Sequence, residues 1–189
     1  MEFFGPFIED FGMEVIPNLI TANDELHVPL DDEKRSTHVV FAPSTVNPNA
    51  PNPKGVEEVK RACKAYGLTL DVVFRKSFEE CMMRKQRAMV GVDEVITGMY
   101  HRSGLEFLSQ GVPCFTALNE FGETALKKAT GADWVPFEKT TPKELGRDMR
   151  ALLHDGDLRR GQGRKARQWI ETYYAPQVLI ERHLEVYKR

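Results

Sequence analysis

The sequence predicts an α/β domain, a parallel sheet with helices on both of its faces. Short β-branched or apolar runs recur at THVVFA (37–42), LTLDVVF (68–74), VDEVIT (92–97) and VPCFT (112–116), and a stretch of helical periodicity follows each. Strands that alternate with helices at this spacing build right-handed β-α-β units, whose strands lie parallel. The runs are nearly all apolar, as strands buried on both faces must be.

In chain order, residues 1–11 are aromatic-rich, MEVIP (13–17) reads as a short strand, and 18–36 reads as polar loop. After THVVFA, the stretch APSTVNPNAPNPKG holds too much Asn and Pro for regular structure. Val56, Val59, Ala62, Cys63 and Tyr66 then recur at helical spacing until Gly67. Ser77 and Glu80 form a capping box that opens a helix to about Met89. Ser103 and Glu106 open a short helix in the same way, and Gly111 closes it. Further helices are expected over about 119–130, after the Thr141–Glu144 capping box, over about 156–173 and over 176–188, with a weak strand at 134–137. Parallel sheets bind ligands outside the carboxyl ends of their strands, which directs attention to loops 43–55, 75–77, 98–104 and 117–120.

Composition narrows the function classes. A chain of 189 residues and 21.6 kDa buries about 70% of its unfolded surface, so a core needs no disulfide or metal staple. Lys and Arg number 26 against 28 Asp and Glu, which excludes a broadly cationic nucleic-acid coat. The basic stretch LRRGQGRKAR (158–167) reads as an exposed helix surface, and nucleic acid is not an expected partner. Cys63, Cys81 and Cys114 stand far apart, as reduced thiols of a cytoplasmic protein do. No apolar run has the length of a membrane span, and the acidic start MEFFGPFIEDFG does not resemble a signal peptide. The five histidines show no metal-ligand spacing, so no metal is expected. P-loop, GxGxxG and GxSxG patterns are missing too.

Two loops carry the candidate chemistry. In GMYHRSGLE (98–106), unpaired N–H groups at a helix start and the positive end of its dipole make an anion site, with His101 and Arg102 beside it. The same residues also read as a well-capped helix with a solvated Arg102. Glu106 either bonds back to the backbone at Ser103 or accepts from a ribose diol. In loop 43–55, Lys54 precedes a helix and can reach a phosphate as a point charge, or it is a surface lysine.

EVIPNLI (14–20), VVFAPS…KGVEEV (39–59), DEVITGMYHRSGLEFLSQGVPCFT (93–116) and the closing ARQWIETYYAPQVLIERHLEVYK together resemble the C-terminal half of a GT-B-type glycosyltransferase. The nearest likeness is to the large retaining group 1 family, which uses nucleotide-sugar donors. The resemblance implies a single Rossmann-like donor domain over 14–189, with 1–13 a linker or the remnant of a preceding domain. It implies that Glu106 holds the donor ribose and that Lys54 neutralises the diphosphate. It implies that Arg102, Ser103 and Gly104 receive the distal phosphate and that residues 75–77 flank the base. Tyr100 falls in the Gly98-Met-Tyr100 pattern of a subset of the family, and Ser44 lies near the place of an arginine that the family carries after its first strand. A second family glutamate, eight residues before Glu106, is replaced here by Gly98.

The implied partner is a nucleoside-diphosphate sugar, bound as substrate with no cofactor. Only the donor half is evident, so a separate or missing N-terminal acceptor-binding domain is implied, and the chain alone is expected to transfer no sugar. Rival expectations are a non-catalytic interaction domain that keeps the fold, and a nucleotide-sugar epimerase-like domain.

Overall fold

The computed structural model describes Ile20, residues 25–44 and residues 54–188. The expected strand at 13–17 and most of loop 43–55 lie outside the described residues. Five strands, β1 (Thr37–Phe41), β2 (Leu70–Val72), β3 (Ala88–Glu94), β4 (Cys114–Thr116) and β5 (Glu138–Lys139), form one sheet in the order β2-β1-β3-β4-β5. Every neighbouring pair is parallel. Among the described residues seven α-helices accompany them: α1 (Val56–Tyr66), α2 (Phe78–Gln86), α3 (Arg102–Ser109), α4 (Glu120–Thr130), α5 (Leu145–His154), α6 (Gly156–Tyr173) and α7 (Pro176–Tyr187). Among the described residues no helix is long and apolar enough to cross a membrane.

The pleat sorts the core into two layers. Val39, Phe41, Val90, Val92 and Phe115 pack with α1 and with Leu145, Met149 and Leu152 of α5. Val40, Ala88 and Cys114 pack on the other face with Leu105, Phe107 and Leu108 of α3 and with Trp169 and Ile170 of α6. Gly91 belongs in β3 because the Phe107 ring lies where its side chain would go: a Cβ there would stand 2.5 Å from the ring. Each fully buried apolar side chain contributes about 1.5–3 kcal/mol, so the two layers hold the sheet between the helices.

Several boundaries differ from the sequence expectation, each for a local reason. Helix α2 ends at Gln86, not Met89, and β3 starts at Ala88; pairing of Ala88 and Val90 with Thr37 and Val39 claims these residues for the sheet. At its other end β3 stops at Glu94, before Ile96 and Thr97. The Glu94 carboxylate accepts from the backbone N–H groups of Ile96, Thr97 and Gly98, which folds the chain into a turn. The last strand is Glu138–Lys139, not 134–137, placed by register against Phe115 and Thr116.

The capping boxes fare differently. The Ser77 hydroxyl accepts the Glu80 N–H at 3.1 Å, as expected. Ser103 is not a cap: α3 begins at Arg102 behind His101, and the Ser103 hydroxyl instead accepts from Lys85. At the third box the Thr141 hydroxyl donates to the Glu144 carboxylate, and α5 begins at Leu145, later than the expected start at Pro142.

Candidate functional site

The strand order 2-1-3-4-5 places a topological switch between β1 and β3, where doubly wound sheets open a crevice beyond the carboxyl ends of the strands. Lys54 reaches this place from the end of the loop after β1, and residues 93–106 reach it from the end of β3. The sheet topology thus brings together the two loops that the sequence singled out.

At the centre stands Asp93, fully buried at the end of β3. Its Oδ2 accepts the His101 N–H at 2.6 Å and lies 3.4 Å from the imidazole Nδ1, while Lys54 Nζ lies 3.5 Å from Oδ1. Burial pushes the Asp93 carboxyl up, but the His101 contacts and the Lys54 charge outweigh it and hold the group below the usual aspartate value. Asp93 therefore carries a charge that both restrains Lys54, itself only 8% exposed, and anchors the first turn of α3. Gly104 makes this possible, because a Cβ there would stand 3.0 Å from the Asp93 carboxylate.

Glu94 organises the adjoining turn. It is fully buried, and its carboxylate collects three backbone N–H groups and the Thr97 hydroxyl. The turn ends at Gly98, whose φ of +80° is in the left-handed region. A side chain at 98 would also collide with the Asn119 amide, which caps α4 through the Gly122 N–H. The geometry thus leaves no room for a glutamate at 98.

Glu106 lies on α3, 7% exposed, and is engaged on both oxygens. Lys85 of α2 holds Oε2 at 2.5 Å and Arg102 Nε holds Oε1 at 3.0 Å. The Lys85 ammonium is buried and lies over the Phe107 ring at 4.8 Å. Arg102 is half exposed and stacks over the Phe78 ring, 5.6 Å from its centroid. The alternative bond from Glu106 to the Ser103 backbone does not form; Lys85 bonds the Ser103 carbonyl and hydroxyl in its place.

The remaining sequence candidates are scattered. Tyr100 packs into the core beside Phe137, and burial raises its hydroxyl above the usual tyrosine value despite a hydrogen bond with Tyr174. Ser44 is exposed at the end of β1 and makes no side-chain hydrogen bond among the described residues. Arg75, before α2, has φ of +52° and lies over the Phe74 ring. Sequence reasoning missed Asp93, Glu94 and Lys85. Two adjacent carboxylates inside an otherwise apolar strand were the available signal, since charged groups are rarely buried there without partners. Among the described residues no cluster of three or more His, Cys, Asp or Glu side chains gathers as a metal site.

No protein-family model matches the sequence, and no curated protein matches it significantly. Solved structures do. A TarM variant from S. aureus, in complex with fondaparinux, alpha-GlcNAc-glycerol and UDP, is 12% identical with a TM-score of 0.67, over 96% of this chain and 41% of that one. Sucrose-phosphate synthase from Thermosynechococcus elongatus is 13% identical with a TM-score of 0.61, over 92% of this chain and 51% of that one. The C-terminal domain of a glycosyl transferase group 1 family protein (LpcC) from Francisella tularensis is 11% identical with a TM-score of 0.55, over 84% of this chain and all of that one. This chain thus spans about half the length of the first two structures and the whole of the isolated C-terminal domain. At this level of identity the likeness shows the fold alone: this chain shares the parallel α/β fold of that isolated C-terminal domain.

Proposed function

We propose that this chain is the donor-binding domain of a glycosyltransferase that takes a sugar from a nucleoside-diphosphate sugar. The observation that carries the reading is the convergence of Lys54, His101 and the first turn of α3 on the buried Asp93, at the switch point of the sheet. Cleavage of a glycosyl phosphate bond leaves negative charge on a diphosphate, and preorganised cations and backbone N–H groups stabilise such charge. Lys54 supplies the cation and the start of α3 the helix dipole. Arg102, Ser103 and Gly104 face the distal phosphate in this reading, and Glu106 takes the ribose once Arg102 has swung aside. The donor is substrate, no cofactor or metal is invoked, and a cytoplasmic location fits Cys63, Cys81 and Cys114, none of them in a disulfide. Acceptor contacts belong to a further domain, so the chain by itself binds donor without transferring sugar.

Calorimetry with UDP, GDP and ADP tests the proposal. One of them is expected to bind in the micromolar range, and Lys54→Ala to weaken it about tenfold or more. Absence of binding by all three would sink the reading. A second reading, an interaction domain that keeps the fold without the ligand, has one observation in its favour: both oxygens of Glu106 are already engaged. It predicts nucleotide-independent association with a protein partner and no effect of Lys54→Ala.

A further inference from the structure

At the opposite end of the sheet, where Met89 stands four residues along β3 from Asp93 and so roughly 13 Å away, lies a pocket of about 280 Å³. One wall is α6, which contributes Arg159, Arg160, Arg164 and Arg167, with Arg35 at the base. The lining outside α6 includes the apolar Pro29, Leu30, Met89 and Pro113. Gly163 lets α6 approach this closely, because a Cβ there would collide with the carbonyl of Gly111.

Charge in the pocket is unbalanced. Among the described residues five guanidinium groups line it against two lining carboxylates, Asp32 and Glu171, and Arg160 also pairs with Asp157 outside the lining at 2.6 Å. Asp32 is shared, bidentate to Arg159 at 2.6 and 2.8 Å and reaching Arg160 at 3.2 Å. Glu171 serves Arg167 at 2.7 Å. Arg35 spends its hydrogen bonds on carbonyl oxygens and has no carboxylate within ion-pair distance among the described residues. Arg164 is exposed and has no ion-pair partner among them either. Arg159 is only 7% exposed, and its buried Nε has no hydrogen-bond partner among the described residues. A surplus of positive charge beside low-dielectric walls draws an anion, and guanidinium forks match phosphate oxygens best.

We propose that this pocket binds an organic phosphate, its phosphate held by the arginines of α6 and its carbon part laid against the apolar lining. A volume near 300 Å³ is the lower edge of small-ligand clefts, which fits a compact phosphate ester. The source of that group is a free phosphorylated metabolite or a lipid headgroup, and the experiment separates them.

Phenyl phosphate and inorganic phosphate are titrated into the isotope-labelled chain at low salt, with amide resonances followed by NMR. Gly111 and Gly163 report on this pocket, and Gly98 and Gly104 on the nucleotide site. Phenyl phosphate is expected to shift Gly111 and Gly163 saturably and to bind about tenfold tighter than inorganic phosphate. Arg164→Glu, at a position with no hydrogen bond or ion pair among the described residues, is expected to weaken it about tenfold. Absence of shifts at Gly111 and Gly163, shifts confined to Gly98 and Gly104, or binding untouched by Arg164→Glu overturns the proposal. Co-sedimentation with phosphatidic acid vesicles decides the source. Vesicle binding displaced by phenyl phosphate assigns a lipid headgroup, and no vesicle binding assigns a free metabolite. Vesicle binding without shifts from phenyl phosphate overturns the pocket in favour of surface charge alone.

Discussion

The two ends of the sheet solve opposite problems with opposite charges. At the carboxyl ends, buried carboxylates collect donors: Asp93 takes the N–H ahead of α3, and Glu94 takes three N–H groups of the turn that follows β3. At the amino ends, the buried Arg35 collects acceptors, donating to the carbonyls of Gln86, Ala88, Leu30, Gln110 and Gly111. The cause is topological. In β-α-β units every helix starts above the carboxyl end of one strand and finishes near the amino end of the next. Helix starts carry unpaired N–H groups and helix ends unpaired carbonyls, so one pole calls for anions and the other for cations. A ligand can replace the structural group at either pole, which is why both bear candidate sites.

Breaking the amino pole should have the largest effect. Arg35→Ala leaves buried carbonyls without donors in the middle of the chain. Burial pulls this guanidinium down to about 10, with Asp32 opposing, so it stays charged at neutral pH and the fold relies on the charged form. A loss of about 4 kcal/mol in urea unfolding is expected, with Arg35→Lys recovering part of it. A loss below about 1 kcal/mol would mean that water substitutes for the guanidinium and that the polar contrast between the ends is superficial.

The carboxyl pole contains a sharper contrast, between a buried and an exposed cation on one carboxylate. Lys85 and Arg102 share Glu106, but the Lys85 side chain is 1% exposed and that of Arg102 is 56% exposed. Lys85→Met removes the buried partner of the Glu106 carboxylate and leaves it only the exposed Arg102, for an expected loss of about 3 kcal/mol, whereas Arg102→Ala should change stability by under about 1 kcal/mol. The double variant Lys85→Met with Glu106→Leu is expected to regain most of the stability and none of the nucleotide binding. Equal losses from the Lys85 and Arg102 variants would show that burial does not separate them.

How much of this was legible follows from what each residue depends on. The strand and helix succession could be read because apolar runs and periodicity are local properties. The Ser77 cap was legible for the same reason, as all of its partners lie within one turn. Ser103 carries the same signature and misled, because the competing partner of its hydroxyl, Lys85, arrives from a different helix. The end of β3 was misplaced because a carboxylate, not a loss of hydrophobicity, ends it: Val95 and Ile96 continue the apolar run that the Glu94 turn interrupts. Lys54 and residues 98–106 were found as separate loops, but only the strand order joins them, and Asp93 was visible only once they met.

A loss smaller than those at Arg35 and Lys85 concerns that meeting point and depends on pH. The folded chain holds the Asp93 carboxyl below its ordinary value of 3.8, so the unfolded chain binds the proton more readily. Asp93 therefore stabilises the fold above about pH 4, and the contribution disappears as pH falls through the lower, folded value. Asp93→Asn keeps an acceptor for the His101 N–H but leaves Lys54 without its counter-charge. It should cost about 1–2 kcal/mol at pH 7, with the gap from the parent chain narrowing as urea unfolding is repeated toward pH 3. A penalty of the same size at both pH values would place the effect in shape rather than charge. The carboxyl pole would then bind Lys54 by packing, and the electrostatic difference between the two ends of the sheet would rest on Glu94 and Arg35.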